Sequence, residues 1–91
     1  MELVTDDDTI IGLAQRSDVV AAFPVFQQIR RRLKPGCSRC TKNKAAGLLN
    51  QIKVHLSQLT PEQRQQFKSL VGADSVRVIY PENGAAKELT F

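Results

Sequence analysis

The chain has 91 residues, enough for one domain with a modest core but not for a core plus a deep catalytic cleft. Its hydrophobic share of 42% argues against wholesale disorder, and with no Trp the interior falls to Leu, Ile, Val and four Phe. The net charge of +4 hides an asymmetry: between Val19 and Thr60 lie eight Lys or Arg and no Asp or Glu, leaving five basic against nine acidic residues elsewhere.

The sequence pI of 9.4 lies in the range that flags nucleic-acid binders. No apolar run approaches the roughly 20 residues that span a bilayer, and the first residues are acidic where a signal peptide would be basic. A cytoplasmic setting with no membrane partner is expected. Two cysteines are too few for a secreted disulfide framework. The residues predict a single α+β domain over 1–91, mainly helical. It should carry a helical hairpin with a Cys-x-x-Cys turn and, at 75–91, a C-terminal β-hairpin.

Residues 1–8 read as an acidic tail containing Asp6-Asp7-Asp8. One reading is a solvated end whose charge favours the following helix through its dipole. The other is a phosphate mimic that folds back and tempers the basic region. Asp8 or Thr9 can cap a short helix over Ile10, Ile11, Leu13 and Ala14. Ser17 is the next expected N-cap, opening a helix through Val19, Val20, Ala22 and Phe23. Pro24 then kinks or restarts the helix. Ala22, Phe26, Ile29 and Leu33 recur at three- and four-residue spacing, one buried helical face, and Lys34-Pro35-Gly36 ends it.

Thr41 is expected to cap the longest helix, in which Ala45, Leu49, Ile52, Leu56 and Leu59 step by 4, 3, 4 and 3 residues and Leu48 widens the stripe. This seam either packs within the chain against Phe26, Ile29 and Leu33 or forms a homodimer interface. Thr60-Pro61-Glu62-Gln63 is a strong helix start, with Thr60 and Gln63 forming a capping box, and Gly72 is a good stop after Phe67, Leu70 and Val71. Val76, Val78 and Tyr80 alternate with Arg77 and Ile79, as in a strand. Asn83-Gly84 suits the turn of a hairpin returning through Leu89 and Phe91. The expected core includes Phe26, Ile29, Leu33, Leu49, Ile52, Leu56 and Phe67.

Two features carry chemical potential. Arg30, Arg31, Arg32, Lys34, Arg39, Lys42 and Lys44 form a basic collar suited to phosphate contacts. No aromatic residue sits among them to stack bases. Cys37 and Cys40 sit inside this collar as candidate zinc ligands, with a dithiol switch or an unliganded pair as the other readings. His55, about four helical turns beyond, lies too far to complete a site, so zinc would be shared between two chains or completed by a partner. The acids are unpaired and no Gly-rich phosphate loop occurs, so no enzyme chemistry is expected.

The functional expectation is a small non-enzymatic accessory protein that binds nucleic acid non-specifically through the basic tip. The bland reading of the collar is a solvated tip, or one meeting an acidic protein surface. The rival function is a structural, assembly or adaptor protein acting through protein contacts, as a homo-oligomer or a subunit of a larger particle. In that case strand Val76–Tyr80 would augment another sheet and the helical seam would face a partner.

Overall fold

The computed structural model describes residues 1–33 and 38–91, with the side chains of Ser38, Thr41 and Lys44 outside the description. Strand β1 (Glu2–Val4) leads into α1 (Asp7–Ala14) and α2 (Ser17–Ala22). A 3-10 turn (Pro24–Phe26) and the single-turn α3 (Gln27–Arg30) follow. Then come α4 (Ser38–Ser57), α5 (Pro61–Val71), β2 (Ser75–Glu82) and β3 (Ala85–Thr90). The α+β expectation holds. The strands form one sheet in the order β1-β2-β3, with β1 parallel and β3 antiparallel to the central β2.

The alternation in β2 sets the layers. Val76 and Val78 are fully buried, whereas Ile79 is 37% exposed, so the helices cover one face of the sheet and leave the other to solvent. On that open face Arg77 bridges Glu2 of β1, at 3.2 Å, and Glu88 of β3, at 2.8 Å. The β-hairpin turns at Asn83 and Gly84, whose φ angles of 51° and 77° are the left-handed pair that the Asn-Gly dipeptide favours.

The acidic tail is not a tail. Glu2–Val4 pair with Ser75–Arg77, and Thr5 continues the connection through its side chain after the ladder ends. The Thr5 amide donates to the Arg77 carbonyl at 3.0 Å. Its hydroxyl donates weakly to the same oxygen at 3.3 Å and accepts from the Ile79 amide at 3.1 Å. Thr5 is thereby the one polar residue wholly buried among the described residues, with its hydroxyl standing in for a strand residue that β1 lacks.

Local chemistry explains the helix starts. Asp6, not Asp8 or Thr9, caps α1, its carboxylate accepting from the Thr9 amide at 2.8 Å. Ser17 does not cap α2, since Arg16 holds that position without a side-chain bond. Instead the Arg16 guanidinium grips both oxygens of Asp18, at 3.1 and 2.6 Å, and Asp18 accepts from the Val19 amide. Thr60 and Gln63 form the expected capping box of α5, and Gly72 ends it at φ 71°.

The α4 seam lies inside the chain. Ala45, Leu49, Ile52, Leu56 and the following Leu59 are all buried, so the stripe is unavailable as a homodimer face. Packed with them, Phe67 of α5 meets Phe23 edge-on at 5.4 Å and stacks on Phe26 at 6.5 Å. Every residue of the expected core is buried except Leu33, which is half-buried against it. α4 is kinked at Ala45, where φ −120° and ψ 17° leave the helical region; nothing in the structure explains the kink.

The stretch before the collar differs from the expected long helix. Pro24 keeps Phe23 out of the helical region (φ −130°, ψ 84°), which ends α2, and the chain resumes as a 3-10 turn and one α turn. The two longest helices are therefore α4 and α5, and the Cys-x-x-Cys stretch does not lie between them. The expected turn Lys34-Pro35-Gly36-Cys37 lies outside the described residues.

Candidate nucleic-acid interface

The basic collar is built on the end of α3 and the beginning of α4. Arg30 closes α3, and Arg31 and Arg32 follow in the turn beyond it. Arg39 and Lys42 lie in the first turns of α4, with Lys44 one residue before the kink. Of the residues expected to contact phosphate, Lys34 lies outside the description, as does the side chain of Lys44.

The described members differ in how they are held. Arg30, Arg31, Arg32 and Arg39 are exposed. Arg30 reaches the Ser17 hydroxyl, both guanidinium nitrogens at 3.4 Å, and Arg32 donates to the Gln28 carbonyl at 3.1 Å. None of the four meets a carboxylate among the described residues. Elsewhere the arginines, and Lys53, are engaged. Arg16 is paired with Asp18, Lys53 with Asp7 and Arg77 with two glutamates, and Arg64 lies 5.2 Å over the Phe91 ring. Among the described residues, the guanidinium groups without a carboxylate partner or aromatic ring thus fall at the end of α3 and the start of α4.

Lys42 is the exception among the described members of the collar. Its ammonium stands 2.9 Å from Asp8 Oδ1, and this hydrogen bond holds its pKa above the ordinary 10.5 of a lysine. Asp7 makes the companion contact, 2.6 Å to Lys53 three helical turns further along α4. The acidic run therefore lies across α4, as the second reading of residues 1–8 expected, although β1 and not a loose tail delivers it. Asp8 belongs to the site, while Asp7 and Lys53 lie beside it; of these only the acidic run gave a signal in the sequence. Lys53 gave none, because its partner comes from a helix nearly fifty residues earlier.

Cys40 lies half-buried in the first turn of α4 and is not a free thiol, while Cys37 is outside the described residues. Among the described residues no three His, Cys, Asp or Glu side chains gather as metal ligands. His55 is exposed on the wall of a depression of about 450 Å³ formed by Val25, Asn50, Gln51, Val54 and Gln58. None of those five neighbours titrates, so this wall offers His55 no acid–base partner. Among the described residues no helix is long and apolar enough to cross a membrane.

No protein-family model, curated protein or solved structure matches this chain.

The aromatic residues bear on the mode of contact. Phe23, Phe26 and Phe67 are buried together, and Phe91 lies under Arg64 beside the sheet. The collar therefore presents guanidinium forks and a helix start without a ring for a base to stack on, which suits phosphate better than base edges.

Proposed function

We propose that this chain is a non-enzymatic protein that binds nucleic acid through phosphate contacts at the α3–α4 collar, with little sequence preference. The supporting observation is the group of four exposed arginines, Arg30, Arg31, Arg32 and Arg39, that no described carboxylate neutralises. A guanidinium fork bonds two phosphate oxygens at once, and the positive end of the α4 dipole adds to the same field. Neutralising about five phosphates, four by arginine and one by Lys42, gives a salt slope of about −4 to −5 on duplex DNA. The triple variant Arg31→Glu, Arg32→Glu, Arg39→Glu touches only exposed positions and should abolish binding while leaving the fold intact. Unchanged affinity in that variant would remove the proposal.

One observation favours assembly as a second reading: among the described residues no strand covers the outer side of β3. Augmentation would then occur at Ala85–Thr90 and not at Val76–Tyr80, because β2 already lies between two strands. Solution mass with and without duplex separates the readings. A stable oligomer that ignores nucleic acid supports assembly.

A further inference from the structure

The contact between α1 and α4 has the form of a competitor placed beside a phosphate site. Asp8 Oδ1 sits 2.9 Å from the Lys42 ammonium, where an oxygen of a bound phosphate would sit. Both partners are open to solvent, Asp8 at 70% and Lys42 at 36%, so an incoming polyanion can reach the lysine. Lys42 also lies one turn from the exposed Arg39 and within the collar, so a phosphodiester chain gripped by the arginines passes it.

Asp8 cannot simply swing aside with a loose segment. The Asp6 cap fixes the first turn of α1, Ile10, Ile11, Leu13 and Ala14 bury its far face, and β1 ties the preceding residues to β2. The neighbouring Asp7–Lys53 pair is of another kind: the Lys53 side chain is only 15% exposed, and it lies eleven residues beyond Lys42, outside the collar. That pair is a separate contact between α1 and α4, away from the collar.

Resting on the nucleic-acid reading above, we infer that Asp8 is an intramolecular phosphate mimic that occupies Lys42 until a nucleic-acid phosphate displaces it. The exchange is of one oxyanion for another on a single ammonium and involves no covalent step. It lowers affinity without removing it, because four arginines remain open, and it makes release faster than the bare charge count implies.

The test uses the full chain and a short DNA duplex, with affinity read by fluorescence anisotropy from about 50 to 200 mM salt. Asp8→Asn keeps the size of an exposed side chain and removes the competing charge. It should tighten binding about two- to fivefold at the low-salt end, the range of an exposed ion pair, a gain that shrinks as salt screens the pair it removes. Two controls separate a local brake from added net charge. Glu82→Gln removes the same charge beside Ser57 and Gln58, about 20 Å along α4 from Lys42 and beyond the screening length. Asp7→Asn frees a lysine outside the collar. Both should leave the slope unchanged and shift affinity by less than half as much as Asp8→Asn. If Glu82→Gln matches Asp8→Asn, or wild type binds and Asp8→Asn binds no tighter, the brake is disproved and the binding reading stands. If neither wild type nor Asp8→Asn binds at the lowest salt, the binding reading falls and the brake with it.

Discussion

Replacing Thr5 by Val exchanges a hydroxyl for a methyl at nearly constant volume, which isolates the polar role of a wholly buried residue. The hydroxyl is the acceptor for the Ile79 amide at 3.1 Å, at the point where β1 has run out and β2 continues. The backbone bond from Thr5 to Arg77 survives the exchange, so the loss is confined to one N–H left without a partner. An unsatisfied, partly buried amide costs about 1–3 kcal/mol. A domain of this size has roughly 5–14 kcal/mol in total, so the melting midpoint should fall by about 4–8 °C per kcal/mol lost. Thr5→Ser is the informative counterpart: it loses one methyl, about 0.8 kcal/mol, and keeps the bond to Ile79. Urea titration gives the stabilities, and amide hydrogen exchange at Ile79 tells the two losses apart. Exchange there should accelerate in Thr5→Val and stay protected in Thr5→Ser. A Val variant as stable as wild type, with Ile79 equally protected, would refute the idea that this hydroxyl completes the sheet.

Ile52 lies mid-seam and is 1% exposed, so Ile52→Ala should cost about 2–5 kcal/mol in a denaturant titration; a loss under about half a kcal/mol is the behaviour of a surface site and would contradict its burial. The Thr9 amide holds the Asp6 carboxyl below its ordinary 3.8, so its stabilising effect is fully present above that value and is lost as pH falls through the lowered folded pKa. Asp6→Asn, which caps nearly as well at neutral pH, should flatten this part of the acid limb, whereas Asp6→Ala should cost about 1 kcal/mol at pH 7; equal acid limbs for Asp6→Asn and wild type would show that the cap does not titrate with folding.

The elements with strong local chemistry were legible in the sequence. The 4-3-4-3 spacing of Ala45, Leu49, Ile52, Leu56 and Leu59 names a single buried stripe, and Thr60-Pro61 with Gln63 states a helix start in its own atoms. Asn83-Gly84 supplies the two left-handed residues a tight hairpin needs. What stayed hidden depends on distant partners. Glu2-Leu3-Val4 is too short to show a period, and its ladder partner lies more than seventy residues away. The 3- and 4-residue spacing of Ala22, Phe26, Ile29 and Leu33 does not distinguish one long helix from a 3-10 turn followed by a single α turn, since both return side chains to one side at three residues. In the site, clustered arginines showed directly as a run of charge. That Lys42 is occupied and Arg39 is not follows from where α1 crosses α4, which no local pattern encodes.

The pairing of Glu2–Val4 with Ser75–Arg77 also fixes the order in which the chain can assemble. Every helix is synthesised before β2 exists, so Leu3 has no ladder to join while α1 through α5 form their local contacts. Closing so long a loop costs entropy that the first few contacts do not return, which places the sheet late and makes it slow relative to the helices. Until Val76 and Val78 arrive, the α4 surface they cover stays open to water. The nascent protein is therefore most prone to aggregation in the interval between the end of α5 and the docking of β2.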